Sequence, residues 1–385
     1  MNNINETFEK TIVVGVNTGN DELFNYQFNE TCSLCEALSI EVVDTLVQNL
    51  PHFNTATYLG KGKLEELKNL VVSLEPNLVI FNDDLSPVQL RNITDYLECE
   101  VLDRTMLILE IFKIRAKTKE ATLQVEIAHL NYSLPRLIGM HNNLSRTGGG
   151  GGGAAGARRG SGETKLELDR RHIERKIVKA KAELEDIVKS RQTSRKSRAS
   201  NGLKTVAFVG YTNAGKSSTI NTLLSIYRDE DQTKQVFVKD MLFATLETST
   251  RAIKLPNNKE FLVTDTVGFV SKLPHYLVES FKSTLEEINE ASLIIHLIDS
   301  TSPYMELQIE TTNKVLKELG VKDIPILYAY NKVDKLPNKM FLNASLTPSI
   351  MLSSVTKEGY PELCDYIEKT LFPDFVECDL LILIY

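Results

Sequence analysis

The sequence contains no apolar run near the roughly 18 residues that a membrane-spanning helix needs. Its strongest candidate, LLILIY at 380–385, is far too short. The N-terminal MNNINETFEK lacks the basic and then apolar pattern of a signal peptide. Five cysteines in 385 residues are too few for a disulfide framework. These absences predict a soluble cytoplasmic protein without stable membrane insertion.

Charge is unevenly distributed along the chain. The formal net charge is −7, which argues against a uniformly basic nucleic-acid-binding protein. Residues 157–200 nevertheless contain 14 lysines and arginines against 7 acidic residues. Such a basic segment is either a binding surface for a polyanion or a solvated helix face, and composition alone favours neither.

The order of apolar runs predicts an α/β protein in three parts with a short tail. Residues 1–108 alternate strand-like and helix-like runs, as in a small α/β domain with a mostly parallel sheet. Residues 109–200 have helical periodicity, and 201–373 return to an α/β pattern in which two adjacent strands would pair antiparallel. Residues 374–385 form a strand-like stub.

Two apolar seams at heptad spacing predict an antiparallel helical hairpin. The first is Leu123, Ile127, Leu130, Leu134 and Leu137, and the second is Leu166, Ile173, Ile177, Ala180, Leu184 and Ile187. Pro135 should kink or end the first helix. Thr164 and Glu167 have capping-box spacing, which predicts that the second helix starts there.

The loop between the seams, 141–162, is the most unusual composition in the chain. Nine of the 20 glycines lie within residues 148–162, six of them consecutive. Closing a hairpin needs only about 2–8 residues. The loop is therefore a flexible linker or a functional tip, and its position between matched seams favours the tip.

The sequence GYTNAGKS, Gly210 to Ser217, matches the phosphate-binding loop pattern G-x-x-x-x-G-K-[ST]. It follows the strand-like TVAFVG and precedes the helix-like SSTINTLL, which is the context that this motif requires. In such a loop, Lys216 reaches the β- and γ-phosphate oxygens, and the Ser217 hydroxyl coordinates Mg²⁺.

Three further motifs follow in order. Asp265-Thr266-Val267-Gly268 ends an apolar strand, where an acidic residue lies near Mg²⁺ and a glycine senses the γ-phosphate. Asn331-Lys332-Val333-Asp334 ends another, and its aspartate can accept two hydrogen bonds from guanine that adenine cannot supply. Ser353-Ser354-Val355 would close over the base. The ordered set predicts a GTPase.

With these motifs and several other stretches, the chain resembles the HflX family of translational GTPases over nearly its whole length. The matching stretches are TYLGKGKLEEL (57–67), FNDDLSPVQLRN (81–92), LDRTMLILEIF (102–112), RRGSGETKLELDRR (158–171) and LFATLETSTR (242–251). The resemblance implies an N-terminal α/β domain, a long helical hairpin and a Ras-like GTPase domain. It also implies a monomer that binds GTP or GDP and the large ribosomal subunit, and that splits or rescues stalled ribosomes.

The motifs and the resemblance together define a predicted site. Lys216, Thr245 and Gly268 would serve catalysis, while Ser217 and Thr245 would hold Mg²⁺. The nucleotide-binding residues would be Gly210, Tyr211, Thr212, Asn213, Ala214, Gly215, Lys216, Ser217, Phe243, Ala244, Thr245, Leu246, Glu247, Asp265, Thr266, Val267, Gly268, Asn331, Lys332, Val333, Asp334, Ser353, Ser354 and Val355.

Several positions carry more specific expectations from the resemblance. Asn213 matches an asparagine that helps to bind K⁺ in some related GTPases. Phe269 stands where many Ras-like GTPases have a water-orienting glutamine, so hydrolysis should be slow and depend on a partner. Ser354 replaces the usual alanine and Glu247 the usual aspartate. Many relatives also continue into a further small domain.

Other readings stay open at this point. A GTP-regulated switch on a non-ribosomal RNA is the main alternative function, and peripheral membrane association is an alternative to a purely cytoplasmic location. A binding-only protein is disfavoured by the intact motifs. Cys32 and Cys35 have C-x-x-C spacing without a second pair, and we expect ordinary thiols. Gly60 to Lys63 is expected to be a turn before a helix, and His296 a satisfied core histidine.

Overall fold

The computed structural model describes residues 10–141, 156–200, 203–227, 249–255, 258–273, 277, 288–337 and 346–373. The chain divides into two compact units. The first unit contains residues 1–192, 241–246 and 271–281, and the second contains 193–240, 247–270 and 282–385. The boundary after residue 192 therefore falls within the second long helix of the hairpin, and everything before it belongs to the first unit.

The first unit is built on an all-parallel sheet. Its elements before the hairpin are β1 (Lys10–Asn17), α1 (Asp21–Ala37), β2 (Glu41–Asn49), α2 (Lys61–Leu74), β3 (Leu78–Phe81), α3 (Pro87–Leu97), β4 (Glu100–Asp103) and α4 (Arg104–Arg115). The four strands are ordered β2-β1-β3-β4. The inner strands are apolar on both faces because helices cover the sheet on both sides. Helix α4 spans the boundary between residues 108 and 109 that the sequence suggested.

Local sequence explains where these helices begin. Ser86 and Gln89 form a reciprocal capping box at the start of α3, and Pro87 occupies the first helical position, where it loses no hydrogen bond. The side chain of Asp103 accepts a hydrogen bond from the Met106 N–H (3.0 Å) and so caps α4.

Helices α5 (Lys119–His141) and α6 (Gly156–Ser200) form the hairpin. One apolar layer joins Leu123 and Ile127 to Ala180, and a second joins Leu130 to Ile173 and Ile177. Residues later in α5 contact residues earlier in α6, so the two arms are antiparallel.

The hairpin differs from two of the expectations above, and a third concerns residues that the structure does not describe. Helix α6 begins at Gly156, so Thr164 lies inside the helix and not at its start. Glu167 instead pairs with Arg170 (3.1 Å) and Arg171 (2.8 Å), as helical spacing of three and four residues allows. Helix α5 continues through Pro135 to His141 and does not end at the proline. The glycine run 148–153 lies outside the described residues.

The second unit has a six-stranded sheet. Its elements are β5 (Lys204–Gly210), α7 (Lys216–Ile226), β6 (Ser249–Lys254), β7 (Glu260–Asp265), β8 (Leu293–Asp299), α8 (Met305–Glu318), β9 (Ile326–Asn331), a 3₁₀ turn (Val333–Lys335), β10 (Ser349–Met351) and α9 (Tyr360–Leu371). The strand order is β10-β9-β8-β5-β7-β6, and β6 and β7 are the antiparallel pair. This confirms the predicted mixed, mostly parallel α/β fold.

No helix in the described part of the chain is long and apolar enough to cross a membrane. The strand-like stub at 374–385 lies outside the described residues.

Candidate nucleotide-binding site

The predicted motifs meet at one edge of the second sheet. Strand β5 ends at Gly210, β7 at Asp265 and β9 at Asn331. These strands run parallel, so their carboxyl ends lie at the same edge. In open α/β sheets this edge is where ligands bind.

The phosphate-binding loop is held against the DTVG segment by backbone pairing. The Thr212 N–H donates to the Phe269 carbonyl (2.8 Å), and the Phe269 N–H donates to the Gly210 carbonyl (3.3 Å). Gly215 has a φ of 92° and caps α7, and a Cβ there would collide with the Asn331 amide. Glycine is therefore required at position 215 by both its backbone and its neighbour.

Lys216 is the first residue of α7 and is buried. Its ammonium donates to the carbonyls of Gly210 (3.0 Å) and Tyr211 (2.8 Å), both in the loop that it belongs to. Burial lowers the pKa of Lys216 to about 8, and the nearby Asp265 opposes this effect. When an anion binds at this helix N-terminus, the buried ammonium can exchange its hydrogen bonds to the two loop carbonyls for hydrogen bonds to phosphate oxygens.

Oxygen ligands lie beside this lysine. The Ser217 hydroxyl donates to Asp265 Oδ2 (2.7 Å), which brings together the residues predicted to lie nearest the metal. The Thr266 hydroxyl donates to the Phe208 carbonyl (2.6 Å) and anchors the DTVG turn on β5. A Cβ at Gly268 would lie 2.8 Å from Thr212 Cγ2 and 3.1 Å from Lys216 Nζ, so a larger residue would press on the phosphate loop.

The base-side motifs also lie together. The Asn331 amide donates to the Ala214 carbonyl (2.9 Å) and so joins the NKVD motif to the phosphate loop. The Ser353 hydroxyl donates to Asp334 Oδ1 (2.6 Å) and accepts from the Val355 and Thr356 N–H groups (3.3 and 3.1 Å). Asp334 is exposed, with its carboxylate held by the loop that was predicted to close over the base.

A turn that the sequence analysis did not single out supports the NKVD motif. Asp299 Oδ2 binds the Lys332 ammonium (2.8 Å), and its other oxygen accepts from the Thr301 N–H (3.0 Å) and hydroxyl (2.6 Å). Ser300 donates through its hydroxyl to the Asn331 carbonyl (2.5 Å). The sequence contained one indication of this support, because Asp299 is an acidic residue at the end of an apolar strand. That strand pairs with the strand that ends in NKVD, and Asp299 is the register partner of Asn331.

The remaining predicted residues divide into two groups. Tyr211, Asn213 and Val267 belong to the phosphate and DTVG turns, and Val333 lies in the 3₁₀ turn after β9. Val355 is 78% exposed, on the base-side loop. Phe243, Ala244, Thr245, Leu246 and Glu247 lie outside the described residues.

Three features outside the site have ordinary structural roles. Burial raises the pKa of both Cys32 and Cys35, so neither thiol resembles a reactive thiolate. Gly60 precedes α2 directly, as expected of a turn before a helix. His296 is a core residue, but its Nδ1 has no hydrogen-bond partner among the described residues; burial lowers its pKa to about 3, with a contribution from Lys216. It is therefore buried and uncharged, and not fully satisfied.

A phosphate-binding loop with a buried lysine, an acidic strand end and an NKVD loop on a mostly parallel sheet defines the class of P-loop GTPases. Three family models match the chain in order: "GTP-binding GTPase N-terminal" at residues 25–113, "GTP-binding GTPase Middle Region" at 115–198 and "50S ribosome-binding GTPase" at 205–332.

Whole-chain similarities agree with these models. The GTPase HflX of Caldanaerobacter subterraneus subsp. tengcongensis is 43% identical over 366 residues, which are 95% of this chain and 81% of that protein. That of Lacrimispora saccharolytica is 41% identical over 369 residues, 96% of this chain and 84% of the relative. The crystal structure of an SsGBP–GDP complex superposes with a TM-score of 0.51 at 29% identity, covering 94% of this chain and 98% of that one. The chain belongs to the HflX family of GTPases.

Proposed function

We propose that this protein binds GTP at the site described above and uses its hydrolysis to control binding to the large ribosomal subunit, where it splits or rescues stalled ribosomes. The observation that carries the proposal is that the 205–332 segment, which contains most of the site, matches a family described as 50S ribosome-binding GTPases. On this proposal the protein acts in the cytoplasm as a monomer.

The donor set of the site fits Mg²⁺. The Ser217 hydroxyl and the Asp265 carboxylate are hard oxygen donors 2.7 Å apart, and Mg²⁺ favours oxygen ligands from few side chains together with substrate phosphates. Ser217 and Thr245 would hold the ion, with Asp265 beside them. When bound, Mg²⁺ would neutralise charge on the β- and γ-phosphates. K⁺ at Asn213 is a further proposal from the family resemblance.

Hydrolysis needs a positioned water and stabilised phosphate charge. Water attacks the γ-phosphorus, the bond to the β–γ bridging oxygen breaks, and GDP and phosphate are released. Lys216 would stabilise charge on the β and γ oxygens, and Gly268 would place its backbone beside the γ-phosphate. Phe269 is 1% exposed and carries no polar group that could orient water. The orienting group would therefore come from a partner.

The hairpin supports an RNA-containing partner. Arg171, Arg175, Lys179 and Lys181 are exposed on α6, outside the apolar layers that join the two arms. Exposed cations spread along a long helix are suited to phosphate contacts. The hairpin would carry its glycine-rich tip into an RNA-lined cavity.

Co-sedimentation with purified ribosomal subunits tests the proposal. We expect the protein to sediment with large subunits in the presence of a non-hydrolysable GTP analogue and to be released with GDP. Small subunits serve as the matched RNA-rich control. Equal binding to both subunits, insensitive to the nucleotide, would instead favour the alternative of a switch on a non-ribosomal RNA.

A further inference from the structure

The base-side loop, Ser353 to Val355, has a second hydroxyl at Ser354. In the structure this hydroxyl lies 2.9 Å from the Tyr360 hydroxyl and 3.2 Å from the Thr219 hydroxyl. Tyr360 begins α9, and Thr219 lies in the first turn of α7. One side chain therefore joins the base-side loop to two helices.

The partners of Ser354 are buried and already placed. Thr219 is 0% exposed and Tyr360 is 1% exposed. Burial raises the pKa of the Tyr360 phenol, so it keeps its proton throughout the physiological range and remains able to donate. Thr222, one turn further along α7, shares its hydroxyl proton between the Ser218 carbonyl (3.0 Å) and the Ser354 carbonyl (3.3 Å). Buried hydroxyls are costly when they lose a partner, so this group of hydroxyls favours one position of the loop.

Neighbouring residues of the same loop face different parts of the site. Ser353 binds Asp334, the proposed guanine reader, at 2.6 Å. Ser354 binds α7, whose first two residues are Lys216 and Ser217, on the phosphate side. Two adjacent side chains thus connect the base-reading residue to the helix that begins at the phosphate loop.

We infer that Ser354 is a positioning residue that fixes the base-side loop to α7 and thereby slows the release of guanine nucleotides. The inference rests on the proposed function, because it requires a guanine nucleotide in this site. The loop must move away from the base before the nucleotide leaves, and that movement breaks the hydroxyl contacts of Ser354. Removing the Ser354 hydroxyl should accelerate release about five- to tenfold.

The experiment measures the dissociation of a fluorescent GDP analogue by competition in the full-length protein. Ser354→Ala should release it about five- to tenfold faster, whereas Ser354→Thr, which keeps the hydroxyl, should stay within twofold of the parent. Ser225→Ala is the matched control, since this α7 serine donates to the Thr222 carbonyl (2.7 Å) and is exposed. It should leave the release rate unchanged.

Two further measurements separate positioning from general loss of structure. In a Tyr360→Phe background, Ser354→Ala should have a smaller effect, because its hydroxyl partner is already absent. The rate at which the analogue associates should change much less than the rate at which it is released, because the contacts of Ser354 hold the closed loop. Association that slows as much as release accelerates would indicate disruption of the whole site and overturn the inference.

The two proposals fail in different ways. A parent protein that releases GDP slowly, together with a Ser354→Ala variant within twofold of it, overturns the role of Ser354 and leaves the GTPase proposal standing. A parent that does not bind the guanine analogue overturns both.

Discussion

On the proposed function, base selection depends on Asp334. Its carboxylate is exposed, and its Oδ1 accepts a hydrogen bond from the Ser353 hydroxyl. Asp334→Asn should weaken GTP binding by about 2 kcal/mol or more and shift preference toward xanthine nucleotides, because an amide cannot accept from both guanine donors. Titration calorimetry with GTP and XTP measures both effects.

The control for that substitution is Asp323→Asn. Asp323 is exposed and has a φ of 58°, a conformation that asparagine also tolerates. The Asp323→Asn variant should bind GTP with the affinity of the parent. The guanine assignment is wrong if Asp334→Asn retains parental GTP affinity.

Lys216 should make GTP binding depend on pH. Burial lowers its pKa from 10.5 to about 8. Between these values the unfolded chain holds a proton that the folded chain has lost, so the free energy of unfolding rises with pH in this window. Phosphates prefer the charged lysine, so GTP affinity should fall above pH 8, by up to about tenfold per pH unit.

Fluorescence titration of the GTP dissociation constant from pH 7 to 9.5 measures this decline. Lys216→Met is the matched control and should bind GTP weakly at every pH in this range. Its pH profile gives the effect of guanine ionisation, which is subtracted from the profile of the parent. A parent and a variant with parallel pH profiles would show that Lys216 does not titrate in this range.

At the scale of elements, the two helices of the hairpin are held together by apolar layers, and the glycine-rich segment connects them. The layers around Leu123 with Ala180, and Leu130 with Ile173, are formed by residues of α5 and α6 themselves. Replacing 142–155 with a short polar turn, while keeping α6 from Gly156, should leave folding and GTP binding unchanged. Ribosome splitting, followed by light scattering, should fall by an order of magnitude or more. Splitting at the parental rate would reduce the loop to a linker.

Periodicity was sufficient to predict the hairpin, but not the ends of its helices. The apolar seams place Leu123, Leu130 and Ile177 correctly because heptad spacing follows directly from helix geometry. Thr164 was misleading, since the capping-box pattern also occurs inside helices, where Glu167 finds arginines three and four residues away.

The candidate site was predictable where it is built from contiguous motifs, as at Gly210 to Ser217. The support that Asp299 gives to Lys332, and that Thr219 and Tyr360 give to Ser354, joins residues that are distant in sequence. Such pairs depend on strand order and helix packing, which single motifs do not encode.

At the scale of the whole molecule, activity should depend on the partner. With the buried Phe269 in place of a water-orienting side chain, the isolated protein should hydrolyse GTP slowly. Large ribosomal subunits should accelerate release of phosphate, by on the order of tenfold or more, and small subunits should not. Phosphate release measured with each subunit tests this. Full activity of the protein alone would contradict it.

The all-parallel order β2-β1-β3-β4 has a consequence for synthesis of the chain. Strand β1 pairs with β3 through Thr11 and Leu78, so this central strand emerges from the translating ribosome long before one of its neighbours exists. Its apolar run, TIVVGV, must remain without that neighbour until residues near Phe81 have been made. The nascent N-terminal segment should therefore be a binding site for chaperones that recognise extended apolar chains, and this requirement should end once β3 is outside the exit tunnel.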